Sequence, residues 1–445
     1  MMGQHSAQEH RFLTFLVSAT IAPLLVQPCN AQALSARMDQ LVQSYAEAGW
    51  FMGSVLVSKR GDHLLSKGYG QANLEWTIPN SPTTRFQLAS ITKQFTAASI
   101  LLLEERGKLK TADSVRKYLP FAPAAWDGIT VYHLLTHTSG ISDDAVDYDP
   151  SRPNRLVLRD EPTQFKPGEK WAYSNQGYIV LGYLLETISG YTYADFVHEN
   201  IFRPLGMNDS GLDSNVAIIP KRASGYWPRL RGPENAERPN LALGFSAGSV
   251  YSTTQDLLRW EEGLFGGKVL TPASLHKMVT PYKGDYGCGL YVKEEKGRLR
   301  IEHDGNNIGF NTQLTYFPED KLAVIVLGNL NTGITKTMAD SLAALVDGHG
   351  DVVWAPKAIS LRPEILSRYV GMYSFPTSNL DVRLENNQLI AQFTRGTKFP
   401  IFPESETRFY TRKSDLAFEF LKTDTGASQS VTQYQNGKPL NGHRK

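Results

Sequence analysis

Between Ile91 and Glu104 this chain offers almost no polar face. Phe95, Ala97, Ala98, Ile100, Leu101, Leu102 and Leu103 crowd a stretch of helical spacing, and a helix apolar nearly all round is stable only inside a fold. The chain must therefore build layers around a central helix instead of laying it on a surface. That helix opens on Ser90-Ile-Thr-Lys93. Ser90 stands at its N-terminal end, where the first-turn N–H groups lack partners and one can donate to a developing oxyanion. Lys93 lies three residues on, on the same face and within reach of the Ser90 hydroxyl. Desolvation and the positive helix end both disfavour an ammonium there and lower its pKa, which turns a lysine into a base near neutral pH. The Ser-x-x-Lys pattern recurs at Ser114–Lys117 and Ser274–Lys277, among basic residues and in a short polar turn respectively. Neither opens a buried helix.

Two further motifs supply complementary chemistry. Tyr173-Ser-Asn175 follows Lys166-Pro-Gly168 and precedes an apolar helix, Tyr178–Ile188. In an extended loop, residues i and i+2 face the same side, so the Tyr173 phenol can shuttle a proton while the Asn175 amide holds a peptide-like carbonyl. On the loop alone, Asn175 reads equally well as the N-cap of the next helix. His303-Asp-Gly305 ends a strand in which Leu299, Ile301 and His303 alternate with Arg298, Arg300 and Glu302. Alternation turns His303 inward, where a lone histidine is usually a satisfied core residue, and Gly305 leaves room for a substrate backbone at the strand edge.

Composition sets bounds. A chain of 445 residues, 41% hydrophobic, can bury a sizeable core and more than one domain. Its 46 Lys and Arg nearly balance 44 Asp and Glu, and no basic tract points to nucleic acid. His10-Arg11 precede an apolar run, Phe12 to Val26, and Ala31-Gln-Ala33 offers a small-x-small cleavage site. The run is too short for a membrane span. Residues 1–33 are therefore read as a secretory signal peptide cut after Ala31 or Ala33. The mature chain is expected to be periplasmic or secreted, without stable membrane insertion. Cys29 would leave with the leader, and Cys288 alone can form no internal disulfide.

Amphipathic spacing at 37–48 (Met38, Leu41, Val42, Tyr45) predicts a helix, followed by strands Ser54–Lys59 and Asp62–Gly68. Helical pattern runs from Ser90 to about 240. Strands follow at Cys288–Glu294, Arg298–His303, Phe310–Phe317 and Leu322–Leu327, and then helical spacing at Thr335–Val346. Strands at both ends with helices between predict an α/β fold. One antiparallel sheet built from both termini is flanked by helices, with a helical subdomain (about 90–240) inserted and the cleft where they meet. This domain spans 34–355. After Trp354-Ala-Pro356 the period becomes two, and Asn386-Asn387 reads as a hairpin turn. Residues 360–445 are expected to form a small antiparallel β domain resembling a barrel.

With these motifs in order, the chain resembles the serine β-lactamase-like superfamily, in the branch of class C β-lactamases, serine DD-peptidases, D-aminopeptidases and related esterases. The resemblance covers about 37–350 and includes His133-Leu-Leu-Thr-His-Thr-Ser-Gly-Ile141 and the run from Gly244 to Asp256. It implies that Ser90 is acylated, that Lys93 and Tyr173 handle protons, and that Asn175 binds the substrate amide. The second oxyanion N–H would come from Asn306, with His303 and Gly305 along the substrate, which is a peptide or small molecule. One departure is clear: the third motif usually begins with lysine, a fixed charge for a substrate carboxylate, and here begins with His303. That tilts the expectation from β-lactams toward esters, amides or peptides. No cofactor is expected.

The same residues admit competing readings. Gly244-Phe-Ser246-Ala-Gly248 fits an α/β-hydrolase elbow, with Asp256 or Asp285 and then His303 in chain order. Yet Ser249–Thr253 intervene before the next helical spacing. A metal site on His133 and His137 lacks a third ligand at suitable spacing. A penicillin-binding sensor that acylates without turnover would use the same Ser90.

Overall fold

The structure is a computed structural model. It describes residues 27–445 apart from 150–155, 230, 231, 239, 296, 412–415, 424, 425, 436 and 437, so residues 1–26 of the expected leader lie outside the described residues. In chain order the positioning elements are α1 (Gln27–Glu47), β1 (Gly53–Lys59), β2 (Asp62–Tyr69), α2 (Thr92–Glu105), α3 (Asn175–Ser189), β3 (Tyr291–Glu295), β4 (Arg298–Asn307), β5 (Phe310–Phe317), β6 (Leu322–Gly328) and α4 (Thr335–Asp347). The six strands form one sheet in the order β3-β4-β5-β6-β1-β2, and every pair is antiparallel. The two ends of the larger domain thus pair through β1 and β6, as strands at both ends of the sequence predict.

The middle strands are buried on both faces, β5 and β6 along their whole length. Alternation sorts their side chains into two layers. Val55, Val57, Val324 and Val326 face α1 and α4, meeting Met38, Leu41, Val42 and Tyr45 with Met338 and Leu342. Leu56, Leu314, Ala323, Ile325 and Leu327 face the helical side that contains α2. There α2 is enclosed: its residues Thr92–Leu103 are all buried. Among the described residues no helix is long and apolar enough to cross a membrane.

Three sequence expectations shift in detail. The strand expected from Cys288 begins at Tyr291, because Cys288 N–H instead bonds the Met278 carbonyl (2.9 Å) in a turn. The helical region does not end near 240; among the described residues 206–240 holds only two-residue strands, and helices resume through Thr254–Phe265 and Pro272–Met278. The strand expected to stop at His303 runs on to Asn307. Since β3 pairs only with Arg298–Glu302 of β4, the segment from His303 to Asn307 is left without a strand neighbour on that side. It lies against the turn that opens α2 instead.

The C-terminal part is a closed eight-stranded barrel from Gly371 to Arg444. Its interior is filled by Tyr373, Leu380, Val382, Leu389, Ile401, Phe409, Phe418 and Phe420, so it is a packed core and not a channel. Asn386 and Asn387, both at positive φ (49° and 60°), close the hairpin between Asn379–Glu385 and Gln388–Phe393, the geometry of a two-residue primed turn. The barrel rests on the larger domain through Tyr410, whose ring lies 5.2 Å from that of Trp50. Tyr410→Ala should remove this contact and speed proteolysis within 349–362, while leaving hydrolysis of a small ester unchanged. Unaltered cleavage of the connecting segment would show that the barrel is held by other contacts.

Candidate active site

Ser90 sits in a 3-10 turn, Ala89–Ile91, that leads into α2, so the nucleophile candidate precedes the α-helix by one residue more than regular capping would require. Ala89 before it adopts φ +50°, a conformation that costs an L-residue energy and persists only where its surroundings enforce it. They do: Leu88 N–H bonds Val250 O (2.9 Å), Thr312 Oγ1 donates to Leu88 O (2.9 Å), and Thr92 Oγ1 accepts from Val250 N–H (3.0 Å).

Lys93 is completely buried. Its ammonium donates to Ser90 Oγ (3.2 Å), Asn175 Oδ1 (2.8 Å) and Ala247 O (2.8 Å), and lies 4.8 Å from the Tyr173 ring centroid. Burial pulls its pKa down to about 7, against the opposing pull of the Asp304 carboxylate. Three donors match three acceptors in the charged form. On deprotonation the lone pair can turn to Ser90, the acceptor of its longest bond. The structure thus encloses the amine beside the serine, three residues away in the chain.

Tyr173 and Asn175 straddle Ser174, which is extended (φ −135°, ψ 112°) and caps α3 by accepting the Gly177 N–H (3.1 Å). Ser174, and not Asn175, is therefore the cap, and the Asn175 side chain is released to Lys93. Burial raises the Tyr173 pKa well above that of a free phenol, with the Ser90 hydroxyl offsetting part of the effect, so Tyr173 is a neutral phenol at pH 7. Its hydroxyl is buried without a hydrogen bond of ordinary geometry, a looseness common at sites that tighten only around substrate.

Behind Tyr173 lies His137, which the sequence marks as part of the His133–Ile141 stretch without giving it a place in the site. It is 1% exposed, adopts φ +57°, and stacks with ring centroids 4.3 Å from Tyr173 and 4.6 Å from Tyr286. His137 Nδ1 accepts the Ser174 N–H (3.1 Å), which leaves the proton on Nε2. Burial first, then Lys93 and His303, hold its pKa well below that of free imidazole. His133 points elsewhere, completing a capping box with Thr130, and among the described residues no metal-binding cluster exists. The signal for His137 was the stretch His133–Ile141, whose glycine and hydroxyl residues gave no hint of which histidine turns inward.

The third motif departs most from expectation. His303 is inward, as alternation predicts, but 1% exposed. Nδ1–H donates to Asp304 O (2.6 Å) and Nε2 accepts from the Tyr286 hydroxyl (3.0 Å), so both nitrogens are spent. Burial lowers its pKa to about 4, with Asp304 pulling upward and Lys93 downward. It supplies no positive charge at neutral pH. Gly305 is needed for a reason other than substrate access: a Cβ there would lie 2.1 Å from Leu88 O and 2.3 Å from Thr312 Oγ1. Its missing side chain is the space in which β4 meets the Ser90 turn. Asn306 is exposed and lines a cleft of about 350 Å3 with Ser90, Asn175, Ala247 and Asn307, whereas His303 does not reach that cleft.

Ser246 is no elbow nucleophile. It is fully buried within the short helix Phe245–Gly248, follows a 3-10 turn and no strand, and donates to Tyr178 O (2.8 Å). Asp256 is committed to Ser210, Asp209 N–H and Arg259. The Gly244–Val250 run matters instead as the cradle of α2, presenting Ala247 O to Lys93 and Ser246 O to Thr96 (2.6 Å).

This constellation has counterparts in known proteins. The model of the family described as Beta-lactamase matches residues 35–348. The chain belongs to the Beta-lactamase family. A second model, a domain of unknown function called DUF3471, matches 355–444. The chain is 30% identical to "Penicillin-binding protein 4*" of Bacillus subtilis over 439 residues, covering 90% of this chain and 96% of that one. Among solved structures it resembles the octameric penicillin-binding protein homologue from Pyrococcus abyssi, with TM-score 0.64, 26% identity, and coverage of 91% and 99%. The D-amino acid amidase from Ochrobactrum anthropi shares the fold at TM-score 0.61 and 21% identity, covering 71% of this chain and 99% of that one. As a Beta-lactamase-family protein, this chain is a serine hydrolase or penicillin-binding-like protein.

Two predictions follow from the geometry of β4. Gly305→Ala forces the strand and the Ser90 turn apart; overpacking of this kind costs ~1–3 kcal/mol, read as a lower urea midpoint together with lost acylation. An unchanged midpoint would show that the two backbones can separate freely. The second concerns His303. An imidazole with a pKa of about 4 is neutral throughout pH 5.5–8, so KM for a penicillin-like acid should not fall on acidification relative to its methyl ester. A divergence of the two curves near pH 6.5 would show that His303 titrates in contact with substrate.

Proposed function

We propose that this protein is an exported hydrolase that cleaves ester or amide bonds through an acyl-enzyme on Ser90. The observation that carries the reading is the Lys93 amine, enclosed 3.2 Å from Ser90 Oγ with a pKa of about 7. An amine with that pKa is substantially unprotonated at working pH, the condition for general base catalysis.

In the acylation step Lys93 takes the Ser90 proton while Oγ bonds to the substrate carbonyl carbon. The backbone N–H groups of Ser90 and Asn306, which flank the cleft, are the donors proposed for the oxyanion, and the Asn175 amide holds a second, peptide-like carbonyl of the substrate. The proton on Lys93 passes through the Tyr173 phenol to the leaving nitrogen or oxygen as its bond to carbon breaks. Water then reverses the sequence: it gives a proton to Lys93 as its oxygen bonds to the acyl carbon, and that proton passes to Ser90 Oγ as the Oγ–carbon ester bond breaks. Tyr173 acts here as a neutral relay, because burial keeps it from serving as a phenolate base.

The substrate side follows from His303. Without a fixed cation at this position, a carboxylate placed as in β-lactams gains little, which favours esters, amides or peptides over efficient β-lactam turnover. Export is proposed from the leader pattern of residues 1–33. The D-amino acid amidase likeness is one of fold and is compatible with amide substrates.

Ser90→Ala should abolish turnover of a chromogenic ester and labelling by a fluorophosphonate, while Ser246→Ala keeps its acyl chemistry. Lys93→Arg should lower kcat by about 10²–10⁴, the usual range for a general acid–base group, since a guanidinium does not deprotonate. In the unmodified protein kcat/KM should rise with pH through about 7 as Lys93 loses its proton. A dead Ser246→Ala beside an active Ser90→Ala would overturn the assignment. A burst of one equivalent with no steady state would mark a sensor that acylates without turnover.

A further inference from the structure

A second cavity, of about 460 Å3, opens beside the Ser90 cleft. The two share Leu241, and they meet where Asn307 Nδ2 donates to Gln87 Oε1 (3.1 Å): Asn307 lines the first, Gln87 and Ile308 the second. The second cavity therefore adjoins the first on the side of Asn307 and Leu241.

The walls of this cavity carry unpaired charge. Glu75 is exposed, yet its carboxylate is fixed, accepting from Asn235 Nδ2 at Oε1 (2.5 Å) and from the Tyr226 hydroxyl at Oε2 (3.2 Å). Neither it nor Glu237, also in the wall, forms an ion pair among the described residues. Arg222 is committed to Asp213 Oδ1 (2.6 Å) and Ser214 O (2.9 Å). Among the described residues Arg238 is the remaining cation of the wall, so among them two carboxylates without an ion pair oppose one guanidinium, a net charge of −1. Next to Glu75, Trp76 stands 80% exposed on the same wall, its backbone N–H held by Asn73 Oδ1 (2.7 Å). A fixed carboxylate beside an open indole face is a pairing that suits a cation, through a charge-assisted hydrogen bond and a cation–π contact.

We propose that this cavity is a distal subsite for an ammonium group borne on the acyl portion of the substrate, with Glu75 accepting its N–H and Trp76 covering its face. This rests on the reading of Ser90 as the acylated residue. It adds a specificity that the Ser90 cleft, lined by uncharged residues, does not itself supply.

Two measurements test it. The first uses ω-aminoacyl p-nitrophenyl esters of increasing chain length, each compared with its N-acetyl counterpart. At one length the free amine should lower KM about three- to tenfold, the worth of a cation–π contact at an exposed indole together with a charge-assisted hydrogen bond, with kcat unchanged. Glu75→Gln or Trp76→Ala should erase that gain, while p-nitrophenyl acetate, too short to enter, keeps its kcat and KM. Equal KM for the two series at every length, or a preference that survives both substitutions, overturns the subsite. The second measurement is independent of catalysis: the Ser90→Ala protein is titrated with 8-aminooctanamide and followed by tryptophan fluorescence. Saturable quenching that is absent with the N-acetyl compound and lost on Trp76→Ala supports the subsite; no difference between the two compounds overturns it. Failure of the Ser90 reading appears separately, as acetate ester turnover that persists in Ser90→Ala.

Discussion

Lys93 is a primary amine with no exposed surface, and much of the catalytic domain can be understood as the means of tolerating it. Removing an ion from solvent costs several kcal/mol unless neighbours restore its hydrogen bonds. Here a hydroxyl, an amide oxygen and a backbone carbonyl each take one N–H, and the faces of Tyr173 and Tyr178 lie within 5.6 Å. None of these partners is a carboxylate in direct contact. The compensation is therefore incomplete, and the amine sits near its point of protonation. A buried Asp or Glu in place of Asn175 would hold a permanent ammonium and end its use as a base.

The partners arrive from places far apart in the chain. Ser90 comes with α2, Asn175 with the first turn of α3, and Ala247 with a four-residue helix. Asp304, whose charge counters the desolvation, lies on β4. Each arrival is enforced by contacts that allow little movement. Gly305 has no room for a methyl group beside Leu88 O, and Gly182 of α3 has none beside Ser246 Oγ, 2.0 Å from where a Cβ would be. The glycine in α3 is thus the reason Ser246 can pack where it does, with its hydroxyl satisfied by Tyr178 O. A serine that resembles a nucleophile by motif is a spacer between two helices.

The aromatic group around His137 shows the same economy. Tyr173, Trp171, Tyr286 and His303 are joined ring to ring, and the two imidazoles among them are both held neutral by burial. A charged ring at either position would repel the Lys93 ammonium and lower its pKa further. Keeping both neutral leaves the amine near 7, so His303 serves the site by its absence of charge and by holding Tyr286.

The sequence by itself determined that there is a buried central helix, that a serine and a lysine three residues apart stand at its start, and that the chain's two flanking strand regions join in one sheet. These follow from periodicity and spacing, which are local and survive translation into three dimensions. It also fixed the Asn386-Asn387 hairpin, since that turn requires positive φ and asparagine tolerates it. Only the tertiary structure decided what each polar residue touches. The run-on of β4 past its partner put His303 in a closed interior, with both nitrogens taken, where alternation could say only that it faced inward. Whether Gly305 makes room for substrate or for Leu88, and whether Asn175 caps α3 or meets Lys93, depended on elements more than eighty residues away. Such choices are made by packing between layers, and no local pattern carries them.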